Sequence, residues 1–295
     1  MEKQDRTVPS GVQFSLRHNI GSLTSFLEDN ADVRARFLAQ FTKPEFRVKA
    51  PLLAPHRTKD HSLAGTAFDY LLRFYIQKLN PAAKTSAWVA EAALDDLCAS
   101  SDAATCKKAT TLFEQAKQRH RQFLRSSQRR PPRDLIESSV DLAYLDVIFR
   151  AGIVDPRIFK RPRKALVDDL ECMLALVRPR FFRAEKRCIL NPTFGTASEL
   201  VGGADADLMV DNMLIDVKTS KHLRFDREIF NQVIGYYVLS CIGGVCNWRR
   251  AKIKHLAVYY ARYGLLHRIP VANCLTGGSM LTFLGWFRRR ARLDY

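Results

Sequence analysis

No C-x-x-C pair occurs in this chain, and its seven cysteines are scattered and odd in number. That pattern fits neither a disulfide framework nor a standard zinc site, so buried structural thiols are the plain reading. No apolar run reaches the length of a membrane span, and the opening stretch MEKQDRTVPSG carries no secretory apolar region. The expectation is a cytoplasmic protein with no membrane role. A P-loop, a glycine-rich dinucleotide turn and a Ser-His-Asp order are missing too, which excludes the commonest nucleotide-binding and acyl-transfer readings. Internal repeats and low-complexity tracts are also lacking. Acid is the scarce charge: 30 acidic side chains stand against 47 basic ones, a net +17. Such a surplus attracts nucleic acid or an acidic membrane surface, and with no membrane span the membrane is the weaker explanation.

The surplus is uneven. Positions 117–133, KQRHRQFLRSSQRRPPR, hold seven Lys or Arg and no acid. A second run, RIFKRPRK, covers 157–164, and a third lies at 288–292 near the C-terminus. The first reads as a helix face ending at Pro131-Pro132 and lying along phosphates, or more plainly as a solvated helix and loop. His56, His61 and His120 sit in basic or polar surroundings in the sequence, and His222 stands beside Lys221.

Length and 47% hydrophobic content permit a substantial core. Apolar positions recur at helical spacing near 22–41, 62–79, 85–99, 103–126 and 134–151, so the first half reads as mainly helical. The division expected is a helical, basic region over 1–133 and a mixed α/β core over 134–295, with Pro131-Pro132 as a soft boundary.

The most informative segment is 202–220, GGADADLMVDNMLIDVKTS. Alternating apolar and polar residues mark two short strands, and Asp211-Asn212 suits a tight hairpin turn. With a two-residue loop Val210 pairs with Met213, Asp207 falls opposite Asp216, and Asp205 falls opposite Lys218. Period-two alternation then places three acids and one lysine on one face, between strand residues that belong in a core. Buried like charges need cancellation, and a divalent cation is the usual means. The bland reading is a solvated strand face with an Asp–Lys pair.

This arrangement resembles the PD-(D/E)xK nuclease superfamily. Asp207 matches the first acid of its hairpin and Asp216-Val217-Lys218 matches its D/E-x-K motif. Asp226 can cap a following helix, REIFNQVIGYYVLS, on which Gln232 and Tyr236 share a face. That pair resembles the Q-x-x-x-Y element of the RecB-type branch. The αβββαβ core of the superfamily maps onto a helix at 164–178, a strand within 186–195, the hairpin, the Gln232 helix and a strand at 255–263. The resemblance covers about residues 164–265.

The resemblance implies a restriction-endonuclease-like α/β fold and Mg²⁺-dependent hydrolysis of phosphodiester bonds, with DNA as substrate and Mn²⁺ as a substitute metal. Asp207, Asp216 and the Val217 carbonyl would hold the metal, while Lys218 would orient or activate water and stabilise charge on the phosphate. Gln232 would position the water, the lysine or the substrate backbone, and Tyr236 would line the same groove. RecB-type enzymes also carry a G-x-x-x-H segment on an early helix. Here Gly65 is followed by Asp69 at the histidine position, and Glu171 on the 164–178 helix competes for the same role. Some members hold an iron–sulfur cluster, but the spacing of Cys241, Cys246 and Cys274 does not match that staple. Two other readings stand beside the enzyme: a non-catalytic nucleic-acid-binding scaffold, and a nuclease subunit activated by a partner such as a helicase or ATPase.

Overall fold

The computed structural model describes residues 22–86, 88–151, 163–246 and 248–294. The basic run at 157–164 lies mostly outside them. The fold is mixed α/β. Two short helices, α1 (Leu23–Asp29) and α2 (Ala31–Gln40), precede the long α3 (His61–Leu79). A two-residue strand, β1 (Lys84–Thr85), is followed by α4 (Val89–Ser100), α5 (Ala103–Arg125) and α6 (Arg133–Ala151). Then come α7 (Lys164–Ala175), β2 (Cys188–Leu190), α8 (Thr196–Glu199), β3 (Leu208–Val210) and β4 (Met213–Lys218). The chain closes with α9 (Arg227–Gly243), β5 (His255–Tyr260), β6 (Leu265–Pro270) and α10 (Met280–Ala291).

The strands form one sheet in sequence order, β1 to β6. β1–β2 and β4–β5 pair in parallel, and the other neighbours are antiparallel. Side-chain alternation divides the core between the two faces. Leu208, Val210, Met213, Ile215, Ala257 and Tyr259 pack with α3–α7. Met209, Leu214, Leu256, Val258 and Tyr260 pack with α1, α2, α9 and α10. The apolar cluster under α3–α7 is continuous, and α6 packs on α3, α4 and α5.

Several boundaries differ from the periodicity. The helix expected over 22–41 breaks at Asn30, whose side chain donates back to the Phe26 carbonyl at 2.9 Å. The 85–99 segment opens with β1, and α4 begins only at Val89. α7 stops at Ala175, before a 3₁₀ turn at Pro179–Phe181. β2 is only three residues long because Asn191 takes φ 53°, and Pro192 follows. β5 ends at Tyr260 and turns through Ala261–Tyr263. β1, β6 and α10 carried no distinct periodic signal.

Cysteine usage also departs from the thiol reading. Cys98 and Cys106, across the turn between α4 and α5, form a disulfide. Of the free cysteines Cys188 and Cys274 are buried, whereas Cys241 is exposed. His120 is likewise not in polar surroundings. It is buried against Phe74, stacked at 4.3 Å, and burial followed by the Arg121 charge lowers its pKa to about 4.

α9 is fixed by its ends. The Asp226 carboxylate accepts from the Ile229 amide at 3.0 Å, an N-cap, and Gly244 leaves the helix at φ 80°. Gly243 allows the closest approach in this region: a Cβ there would stand 1.8 Å from the Phe194 carbonyl oxygen. Gly243→Ala is therefore expected to lower stability by about 1–3 kcal/mol or more, the range for overpacking a well-packed site. Urea unfolding of the variant against the parent measures it.

Candidate active site at the end of the central hairpin

The hairpin forms as its sequence dictates. Asp211 takes φ 54°, the positive value that the first residue of a primed hairpin turn needs. Its carboxylate accepts from the Glu185, Lys186 and Arg187 amides at 2.7–3.0 Å, so Asp211 is a turn and docking residue. Val210 pairs with Met213 and Leu208 with Ile215. One step further along lies Asp207. Its side chain accepts from the Val217 amide at 2.6 Å, and its carbonyl accepts from Asn191 N–H at 2.9 Å. Asp205 does not continue the ladder opposite Lys218. It bridges to Thr193 instead, because the chain before β3 turns towards the β2 side. It still lies close enough to bear on the charges of Asp69, Arg73 and Tyr236.

Lys218 is the centre of the arrangement. Its ammonium lies 3.0 Å from Asp216 Oδ2 and donates to Gln232 Oε1 at 2.8 Å. Gln232 Nε2 in turn donates to the Tyr236 hydroxyl at 2.9 Å. The chain Asp216–Lys218–Gln232–Tyr236 thus links β4 to α9 through side chains, as i,i+4 spacing on α9 permits. Tyr236 stacks on Phe194, so the far end of this chain is held by packing.

α3 approaches from the other face of the sheet. A Cβ at Gly65 would stand 3.1 Å from Thr219 Oγ1, so the missing side chain lets the helix meet the residue that follows Lys218. One turn along, Asp69 bears on the charge of Asp207. Asp69 is ion-paired with Arg73 at 2.5 Å, and its side chain remains 28% exposed. Of the two candidates for the early acid, Asp69 belongs to the cluster. Glu171 points elsewhere and pairs with Arg133 at 2.8 Å. We expect Gly65→Leu, which forces α3 away from Thr219, to lower any activity of this site at least about tenfold, since small misplacements near a reacting centre are costly. A steady-state rate measurement on the folded variant checks this.

Electrostatics single out the same residues. Burial, then Asp216 and then Asp69, raise the Asp207 pKa well above the carboxylate range, against the Val217 amide and Lys218. Burial also raises Asp69, with Arg73 opposing and Asp205 and Asp146 adding. For Lys218, burial acts to remove the proton, but Asp216 and Asp207 outweigh it and the pKa is raised. Tyr236 is raised by burial and then by Asp216 and Asp207.

The sign for stability follows from linkage. Asp207 and Asp69 keep protons in the folded state that the unfolded chain has already lost, so stability falls as pH climbs above about 4, the ordinary carboxylate value. Metal-free protein should melt at a higher temperature near pH 5 than near pH 8. Asp207→Asn should shrink that difference, as thermal scans of both proteins at the two pH values would record.

Arg73 was not legible as a site residue in the sequence, although its i,i+4 spacing from Asp69 was there to read. It is buried, packs 4.6 Å over Tyr70 and bears on Asp207 and Asp205 as well as Asp69. Among the described residues Asp69, Asp205, Asp207 and Asp216 share two cations, Arg73 and Lys218. Among the described residues no three His, Cys, Asp or Glu side chains stand as a ready metal cluster. The donor set nevertheless suits a hard divalent cation. It is all oxygen, it is short of positive charge, and buried Asp216 Oδ2 has no hydrogen bond despite the nearby ammonium.

Behind the site lies a buried ion pair that periodicity did not reveal. Arg262 donates to both Asp169 oxygens, at 2.9 and 2.7 Å, and both side chains are fully buried. Its Nε donates to the Thr219 carbonyl at 2.6 Å, and Nη1 donates to the Ala54 carbonyl at 3.0 Å. Asp169 also accepts from the Arg57 amide at 3.1 Å. The pair thus ties α7, the 54–57 loop and the turn after β5 to the residue next to Lys218.

The first basic run is only partly free. Lys117 pairs with Glu91, Arg119 donates to the Asp134 carbonyl and Ser138, and Arg133 pairs with Asp168 and Glu171. Arg121, Arg125 and Arg129 stay exposed. In the C-terminal run Arg290 is bound by Asp32 and Asp294. No family model, curated protein or solved structure matches this chain. No helix among the described residues is long and apolar enough to cross a membrane.

Proposed function

We infer that the protein is a metal-dependent nuclease of PD-(D/E)xK type, hydrolysing phosphodiester bonds in DNA. One observation carries the reading. An ammonium is held between an aspartate and a glutamine at the mouth of a carboxylate cluster with too little positive charge. The Asp207 and Asp216 carboxylates, with the Val217 carbonyl, would hold Mg²⁺ or Mn²⁺, and Asp69 stands as the early acid in place of a histidine. When bound, such a cation polarises the phosphoryl oxygens and lowers the pKa of a water nucleophile.

The chain's own groups do the rest. In the metal-free protein Asp216 and Asp207 outweigh the burial of Lys218 and favour its ammonium form. That ammonium donates to the attacking water or to a phosphate oxygen and stabilises charge as it develops. Gln232 fixes the ammonium through its carbonyl oxygen and is itself fixed by Tyr236. Arg73 holds Asp69 in the carboxylate group. We place the activity in the cytoplasm; the Cys98–Cys106 bridge is the one feature that an oxidising compartment would favour.

The test separates the two acids on α3 and α7. Asp69→Ala should lose DNA cleavage and weaken Mn²⁺ binding measured by electron paramagnetic resonance. Glu171→Ala should keep both, because its partner Arg133 lies on the surface. Equal loss in the two variants, or none in either, contradicts the site as assigned.

A further inference from the structure

A cleft of about 830 Å³, open to solvent, lies beside the turn after β5 and is lined by Leu53, Arg130, Arg178, Arg180, Arg183 and Tyr263 among others. Among the described residues no acid lines it, and none of its lining residues belongs to the carboxylate cluster. All four arginines are exposed, and none forms an ion pair among the described residues. In the other basic stretches Lys117, Arg133 and Arg290 are taken up by carboxylates, while Arg121, Arg125 and Arg129 stay exposed at the end of α5 and the turn after it. Four guanidinium groups gathered without a counter-charge repel one another, and a polyanion relieves that repulsion.

The arginines are also partly pre-positioned. Arg178 and Arg180 lie 5.9 and 5.4 Å from the Phe181 ring centroid, and Arg130 donates to the Leu174 carbonyl at 3.3 Å. The cleft is bonded to the strand end that carries Lys218. The Tyr263 hydroxyl donates to the Lys221 carbonyl, the Leu53 amide donates to the Arg262 carbonyl at 3.1 Å, and Arg262 donates to the Thr219 carbonyl. Lys221 and His222 are exposed on the segment that leaves the strand end, and Arg224 beyond them pairs with Asp226 at 2.9 Å. Lys221, whose carbonyl accepts from Tyr263, thus carries an exposed charge between Lys218 and the cleft.

We propose that the arginine cleft is a second phosphate site, which grips the sugar–phosphate backbone of the substrate strand away from the scissile bond. This rests on the nuclease reading for the identity of the strand. Guanidinium groups match phosphate oxygens in bidentate geometry, and an open cleft on the edge of the site admits a polymer that an enclosed pocket would exclude. Contacts of this kind hold the strand in place without reading its sequence.

The experiment compares the full chain with Arg180→Ala/Arg183→Ala and with Arg180→Lys/Arg183→Lys. DNA binding is followed by fluorescence anisotropy in EDTA across a salt series. Hydrolysis of bis(p-nitrophenyl) phosphate, which reaches only the reacting centre, is followed with Mn²⁺. The alanine variant should lower the slope of log affinity against log salt by about 1.4–1.8, from 0.7–0.9 per phosphate contact. The lysine variant should keep most of the slope, and diester hydrolysis should match the parent in both variants. An unchanged slope in an alanine variant with parental melting overturns the proposal, even if the parent is a nuclease. A reduced slope in a protein that hydrolyses nothing upholds the cleft and removes the nuclease reading. Displacement of the oligonucleotide by micromolar mononucleotide or inorganic phosphate overturns the strand assignment in favour of a small-ligand site.

Discussion

Lys218→Ala should leave a folded protein whose metal-dependent DNA cleavage is slower by about 10²–10⁴, the range for losing a positioned proton donor or a charge-stabilising group. Among the described residues the ammonium bonds Asp216 and Gln232 alone, and the side chain is 26% exposed, so its removal opens no core cavity. Loss of the cation leaves Asp207 and Asp216 closer to mutual repulsion, which binds a divalent cation more tightly. The expected signature is therefore low turnover together with undiminished or stronger Mn²⁺ binding. Gln232→Ala should follow in the same direction with a smaller loss, because Asp216 still holds the lysine. Stopped-time gel assays with a calorimetric metal titration on each variant would separate these effects. A Lys218→Ala protein that cleaves at the parental rate would mean that this lysine does not act on the phosphate.

The second large effect concerns stability. Asp169→Ala should cost about 3–5 kcal/mol, the usual penalty for leaving one member of a buried ion pair without its partner. Arg262 would then keep two carbonyl acceptors and no anion in a site with no exposure. Asp169→Ala/Arg262→Met, which removes both charges, should recover a large part of that loss. Chemical unfolding of the three proteins gives the comparison directly. Since Arg262 also holds the Thr219 carbonyl, the double variant is expected to recover stability ahead of activity. That split would place the pair behind the site as a positioning device for the end of β4.

How far these features could be read in advance depended on how local their causes are. The hairpin was legible because turn chemistry at Asp211-Asn212 and period-two burial around it agree, and register follows from a two-residue loop. The Gln232 helix was legible for a similar reason, with its cap at Asp226 and its polar pair four residues apart. Asp205 was misplaced by extending that register past the point where the chain turns to pair with Thr193. Sequence spacing does not report such a departure. Asp69 and Glu171 could not be separated, because both sit on helices with apolar faces. Packing of Gly65 on Thr219 brings the α3 that carries the first to the end of β4, whereas the second forms a surface pair with Arg133. Arg73, Arg262 and Asp169 were missed because a charged residue among apolar ones reads as a solvated position until its partner from elsewhere in the chain is known. Of the basic run at 117–133, Lys117 and Arg133 are spent on acids, while Arg130 meets Arg178, Arg180 and Arg183 from a separate segment, a meeting that clustering in sequence does not report.

The most direct test of the central claim is incubation of the purified full chain with linear, covalently closed circular and single-stranded DNA, each with Mg²⁺, Mn²⁺ or EDTA. The account predicts cleavage of at least one substrate with Mg²⁺ or Mn²⁺ and none with EDTA. Salt-sensitive binding without cleavage under every metal condition, or cleavage that persists in EDTA, would contradict it.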